Sequence, residues 1–228
     1  MATDDPPAED GTYAALEAFV QEERLRRLVV VRPRTADERS YVESVLVHAG
    51  RPVPDTLADF EERVAGWCDD YRARFGPCRI VEIDLQTCVY VFDLAHERVV
   101  VAYGVSTSPV AERDKKGMRQ YPDVNVGVRA TLGDRAFVAD RGHFLSHAAG
   151  GDLDVNLFPH RRALNQGRSP EGRQFRAMER YTAKHLGTFH FHRAEYDDLS
   201  CIPATLEYGV LRDDRDWQVA TFANKGDG

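Results

Sequence analysis

The stretch from residue 79 to residue 106 limits the fold more than any other part of the chain. Three runs, RIVEIDL (79–85), TCVYVFDL (87–94) and RVVVAYGVS (98–106), are dense in β-branched and aromatic residues, with turn-like breaks near Gln86 and His96. Short runs of this composition between breaks read as strands, and three in succession predict a meander. Closing strands are predicted at Phe189–His192, Leu206–Val210 and Trp217–Phe222, and a short one at Ala136–Asp140. The best helix of this half is Arg173–His185, and AAGGDLD (148–154) reads as a loop.

The first third has a different texture. After a loose tail over residues 1–11, Tyr13–Leu28 has helical periodicity through Leu16, Phe19, Val20, Leu25 and Leu28. A short helix is predicted over Ala36–Val47, stopped by Gly50 and Pro52. A third is capped by Asp55 or Thr56 and runs to about Phe75, with Leu57, Phe60, Val64, Trp67 and Tyr71 on one side and Gly76-Pro77 as its stop. The expected class is therefore α+β. A helix-rich acidic extension over residues 1–77 precedes a sheet-centred domain over residues 78–228.

Composition excludes several alternatives. At 43% hydrophobic and 29% charged, the 228 residues are too apolar for a disordered chain and long enough for one large domain or a core with a small extension. The longest apolar runs, Leu28–Val31 and Val99–Tyr103, cannot cross a bilayer. The opening MATDDPPAED is acidic and does not read as a secretory signal, so a cytoplasmic location is expected, with delivery by a non-classical route as the alternative. Cys68, Cys78, Cys88 and Cys201 lack CxxC spacing and are expected to be reduced and partly buried.

Net charge is −7, which taken whole argues against a nucleic-acid binder. Its distribution points the other way. Residues 161–193 carry eight basic side chains (Arg161, Arg162, Arg168, Arg173, Arg176, Arg180, Lys184, Arg193) against Glu171 and Glu179 alone. A basic run is usually a solvated helix face. This one follows directly on DRGHFLSHAAGGDLDVNLFPHRRALNQG, the most unusual local sequence in the chain.

That segment has chemical content of its own. His143 follows a glycine at a predicted strand end, Asn156 and Asn165 flank Pro159, and Glu179 lies on the basic helix. Neutral imidazole can deprotonate water, amide and carboxylate oxygens suit a hard cation held largely through water, and arginines can clamp phosphate. Such a set is what metal-assisted phosphodiester hydrolysis requires. The bland readings stand beside it: Asn156 could simply turn the chain before Pro159, and Asp140 and Arg141 could shape the strand end through an ion pair. His190-x-His192 puts two rings on one face, as any strand would.

Asp140-Arg141-Gly142-His143 resembles the DRGH signature of the DNA/RNA non-specific endonucleases, the ββα-metal (His-Me finger) nucleases related to endonuclease G. Asn156-Leu157-Phe158-Pro159 resembles that family's N-x-x-P-Q element, Leu164-Asn165-Gln166-Gly167 its L-N-Q-G, and Ala177-Met178-Glu179 the Leu-Glu step on the helix that follows. The resemblance covers about residues 87–222 and is strongest over 140–180. It implies a ββα-metal core with a central antiparallel sheet, and a Mg²⁺-dependent enzyme, Mn²⁺ substituting, that cleaves DNA and RNA through phosphate contacts. By that resemblance His143 is the general base and Asn165 the single direct metal ligand. Glu179 holds metal-bound waters, and Asn156 positions His143 or substrate. Arg113 or Arg119 stabilises the transition state, while Arg141, Arg176 and Arg180 contact substrate. Three departures mark this chain: His160 stands where the family has glutamine, His143 and Asn156 lie closer in sequence than in the best-studied members, and an insert, Arg168–Gln174, separates Asn165 from the helix.

Two other functional classes compete. One is a zinc hydrolase built on His143, His160, His190 and His192. The other is a non-catalytic nucleic-acid- or protein-binding module on the same fold. A nuclease lacking a signal also suggests a toxin or defence effector, or a regulatory partner or inhibitor docking on residues 1–77. No membrane partner is expected.

Overall fold

The computed structural model describes residues 30–33, 60–85, 87–109, 129–132, 135–151, 154–212 and 216–225. In chain order the elements are β1 (Val30–Pro33), α1 (Phe60–Phe75), β2 (Ile80–Asp84), β3 (Cys88–Asp93), β4 (Arg98–Val105), β5 (Arg129–Leu132), β6 (Arg135–His143), β7 (Leu157–Arg161), α2 (Arg162–Asn165), α3 (Pro170–Lys184), β8 (Phe189–Glu195), β9 (Thr205–Arg212) and β10 (Asp216–Ala223). Two single 3₁₀ turns, His147–Ala149 and Asp154–Asn156, lie between β6 and β7.

The fold is mixed α+β, with a seven-stranded antiparallel sheet ordered β1-β2-β3-β4-β8-β9-β10. The predicted meander is β2-β3-β4, and its strands are buried almost throughout. Such two-sided burial is why β3 and β4 run apolar without alternation over Val89–Phe92 and Val99–Tyr103, while β2 buries Glu82 among its apolar residues. Strands β5, β6 and β7 form a second, three-stranded antiparallel sheet.

Helix α1 covers one face of the large sheet. Phe60, Val64, Trp67, Cys68 and Tyr71 are its buried positions, the i, i+4, i+7, i+8, i+11 stripe of an amphipathic helix. Phe60 meets Tyr103 of β4, Phe189 and Phe191 of β8 and Trp217 of β10 at centroid distances of 5.2–5.8 Å. Gly209, paired with Phe191, leaves room for that ring: a Cβ there would stand 2.0 Å from Cε1 of Phe191. A polar tie adds to the packing. The buried Tyr71 hydroxyl donates to Asp93 (2.8 Å) and accepts from Nε of Arg98 (2.6 Å), and Arg98 also reaches the carbonyls of Asp198 and Ser200. The expected boundary at residue 77 thus falls between α1 and β2, which share one core. The helices expected over Tyr13–Leu28 and Ala36–Val47 lie outside the described residues.

Helix α3 and the β6-β7 hairpin cover the opposite face. Ser169 caps α3 by accepting from the Gly172 amide, and Pro170 occupies its first turn. Helix α3 therefore begins within the expected insert, Arg168–Gln174, leaving only residues 166–169 between it and α2. Phe175 of α3 is fully buried among His160 of β7, His192 of β8, Tyr208 of β9 and Phe222 of β10, at 5.0–5.8 Å. His190 and His192 alternate with Phe189 and Phe191, so one strand serves both layers. All four cysteines are free; Cys68 and Cys88 are buried, Cys78 and Cys201 partly so. Among the described residues, no helix is long and apolar enough to cross a membrane.

Candidate functional site

The DRGH segment is not a turn after a strand but the end of the strand itself. β6 runs to His143, and its last five residues pair with β7 from Ala139↔Arg161 to His143↔Leu157. β7 contains Pro159, which a central ladder would reject. Here the missing N–H costs nothing in the ladder. Arg161, two residues on, turns its N–H away from β6 and gives it to Oδ1 of Asn224 (2.7 Å), and the Pro159 carbonyl accepts from Nδ2 of the same side chain (2.9 Å). The fully buried Asn224 amide thus stands in for a peptide along the free edge of β7, and it also bonds the Pro203 carbonyl.

Alternation along the hairpin sorts the motif residues. Asp140 and Gly142 share a face with Phe158 and His160; Arg141 and His143 lie on the other. Gly142 is required by close approach, because a Cβ there would stand 2.4 Å from Cβ and 2.7 Å from Nδ1 of His160.

Asp140 is the hub of the cluster. Its buried carboxylate accepts from Nε of Arg162 (2.7 Å), Nδ2 of Asn165 (3.2 Å) and Nε2 of Gln166 (2.6 Å). Burial by itself would raise its pKa, but these three donors outweigh burial and hold the carboxyl below its ordinary value. The expected partner of Asp140 was Arg141; the ion pair is instead with Arg162, at the start of α2. The bond to Asp140 occupies the amide nitrogen of Asn165 and turns its oxygen away from the carboxylate. α2 ends at half-buried Asn165 because the chain must turn there toward Gly167, whose φ is +69°.

The other expected site residues are placed as follows. His143 is half-exposed at the end of β6. Asn156 is fully buried; its side chain accepts from the Leu145 amide (2.8 Å) and donates to the Leu145 carbonyl (2.7 Å). It therefore fixes the backbone two residues past His143 and presents nothing to solvent. Glu179 is buried on α3 and bound to Arg176 at 2.5 Å; burial raises its pKa, with Arg176 pulling the other way. Arg141 is half-exposed and Arg180 exposed. Arg113 and Arg119 lie outside the described residues.

Of the eight basic side chains over residues 161–193, Arg161, Arg162, Arg176 and Arg193 are paired with carboxylates. Arg168, Arg173, Arg180 and Lys184 are exposed and have no ion pair among the described residues.

Comparison with family models gives no match for the chain, and comparison with curated proteins gives none either.

Among the described residues, no three His, Cys, Asp or Glu side chains are grouped so as to hold a metal ion. The zinc site expected on His143, His160, His190 and His192 therefore finds no ligand set among the described residues. A hard cation coordinated mainly by water asks for less, a single amide oxygen, and the bond to Asp140 takes the nitrogen of the Asn165 amide rather than its oxygen.

The sequence reading did not anticipate Asp140 as the anchor of Asn165, or any part for Asn224. Asn165 and Gln166 are 25 and 26 residues from Asp140. Asn224 lies 63 residues beyond Arg161, in a segment with no local pattern to flag it.

Proposed function

We propose that this chain is a Mg²⁺-dependent endonuclease, Mn²⁺ substituting, that hydrolyses phosphodiester bonds in DNA and RNA on a ββα-metal core. The observation that carries this reading is the Asp140–Asn165 bond. It ties the strand bearing the DRGH sequence to the helical turn that follows the hairpin, and it engages the amide nitrogen of Asn165 rather than its oxygen. His143 would take the proton of the attacking water, a task suited to a half-exposed imidazole. Asn165 would hold the cation, which when bound would supply Lewis-acid stabilisation of charge on the phosphoryl oxygen. Arg141, Arg180 and the unpaired cations of α3 would bind backbone phosphates without reading bases. Asp140 would orient Asn165, and Asn156 would fix the chain beside His143. Glu179 would act on the cation's waters only after exchange of its bond to Arg176.

The test is incubation of the full chain with plasmid DNA and with RNA, in Mg²⁺ or EDTA, beside His143→Ala and Asn165→Ala. Cleavage that requires the metal and drops about 10²-fold or more in His143→Ala is expected. Cleavage unchanged in both variants refutes the site. A binding module without catalysis is the second reading, favoured by the engagement of Glu179 with Arg176; it predicts retained salt-sensitive binding with no cleavage in any divalent metal.

A further inference from the structure

Helix α3 ends in a stack of three planar groups. Tyr181 and His185, one turn apart, lie face to face with centroids 4.1 Å apart and planes inclined by 22°. The guanidinium of Arg212, the last residue of β9, sits 4.2 Å from the centre of the same Tyr181 ring. Two planar groups that close would overlap on one face of a six-membered ring, so His185 and Arg212 clasp Tyr181 from opposite sides. The His185 ring is held in place. Its Nδ1–H donates to the Tyr181 carbonyl (2.9 Å), since a carbonyl can only accept. The His185 carbonyl in turn accepts from Oγ of Ser106 (3.0 Å) and Oγ1 of Thr188 (2.6 Å). These bonds serve the helix end, yet they use only one edge and one face of the imidazole. His185 is exposed, and among the described residues its second face meets no other ring. The charge around the stack has one sign. Arg173, Arg180 and Lys184 recur at i, i+7 and i+11, which is one stripe of α3, and all three are exposed without an ion pair among the described residues.

We propose that the outer face of His185 is a stacking platform for one unpaired nucleobase of a single-stranded nucleic acid whose phosphates lie along Arg180 and Lys184. An open aromatic face beside a row of cations is the combination that single-strand binding uses. A duplex, whose bases are already stacked on one another, can use only the cations. The inference deepens the proposed function and rests on it for the class of ligand. It adds a preference for single-stranded substrate and no preference for sequence, because every base has a π face. At a rise of about 1.5 Å per residue, His185 lies about 9 Å beyond Glu179 along α3, so one strand can span the platform and the candidate site.

The experiment measures binding of the full chain in EDTA, by fluorescence anisotropy, to a labelled single strand of mixed sequence and to an abasic strand of the same length and charge. The wild type should bind the base-bearing strand about fivefold or more tighter, the scale of one base stacked on an aromatic ring. His185→Ala should lose that margin while keeping its affinity for the abasic strand and its thermal stability. His185→Phe, which keeps a ring, should keep the margin, and Lys184→Ala should weaken both strands alike. If His185→Ala does not fold, His185→Gln takes its place, since it can still donate to the Tyr181 carbonyl but offers no aromatic face. No margin in the wild type, an equal loss on both strands in the alanine or glutamine variant, or a phenylalanine that restores nothing would each overturn the proposal. Metal-dependent cleavage of plasmid DNA without a base-dependent margin would remove the platform alone. A base-dependent margin without cleavage in any divalent metal would remove the nuclease reading and leave the platform standing.

Discussion

Asp140→Asn perturbs the cluster with almost no change in shape. Three donors converge on the carboxylate, Arg162 on Oδ1 and both Asn165 and Gln166 on Oδ2. An asparagine has one acceptor oxygen. Turned toward Arg162, it sets its own NH₂ against two other NH₂ groups; turned the other way, it leaves the guanidinium facing a donor. Hydrogen bonds to charged groups contribute about 1.5–3 kcal/mol each and neutral ones about 1. The Arg162 side chain is 37% exposed, so water recovers part of its share. A net loss of about 2 kcal/mol follows, a shift of roughly 1 M in the urea midpoint at pH 7 for a slope near 2 kcal/mol/M.

The pH dependence has a definite sign. The folded-state pKa of Asp140 is lowered, so its contribution is present above the unfolded value of about 4 and is lost as pH falls through the folded value. The midpoints of wild type and variant should therefore converge in acid. A difference below about 0.5 kcal/mol at pH 7, or one that persists undiminished at pH 3, would refute the assignment of Asp140 as a charged hub.

Other consequences can be read from the same packing. Asn224→Ala strands the Arg161 amide and the carbonyls of Pro159 and Pro203, and should cost about 2–4 kcal/mol in chemical unfolding, with hydrogen exchange at Arg161 rising first. Burial lowers the pKa of His190 to about 4, so the unfolded chain binds the proton first and stability falls as pH drops from about 6.5 toward 4. The loss is about 3 kcal/mol, and His192 adds in the same direction; urea midpoints at pH 7 and pH 4.5 should show it, and His190→Phe should flatten the slope. Arg180→Glu removes an exposed cation without touching a partner; on the proposed function it should weaken DNA and RNA binding alike and reduce the salt slope, with unchanged thermal stability.

The regular elements were legible wherever one physical rule acted alone. The strands of the large sheet are written in β-branched runs, and α1 in the spacing of Phe60, Val64, Trp67 and Tyr71, with Gly76 at φ +75° as its stop. β7 was not legible. Proline argues against a strand, and only the pairing of the free edge with Asn224 makes Pro159 acceptable. β6 runs three residues beyond the expected Ala136–Asp140, because its last pairs depend on that hidden strand. Within the candidate site, His143, Asn156 and Asn165 are singled out by type and spacing, whereas the bonds that orient them are long-range and leave no periodic trace. His160 was visible as a departure from a pattern, but its burial between Phe158 and Phe175 was not.

The stacking of Phe60 on Trp217, 5.8 Å apart and nearly coplanar, bears on the order of synthesis. α1 leaves the ribosome long before β8, β9 and β10, yet three of the five rings packed on Phe60 belong to β8 and β10. At about 5–20 residues per second, many seconds pass in which, among the described residues, the apolar stripe of α1 has only the meander to lie against. The nascent chain must then shield that stripe or borrow a chaperone. The face behind the candidate site stays unfinished until the final strand arrives, so a chain interrupted short of β10 would carry every candidate catalytic residue on an incomplete support.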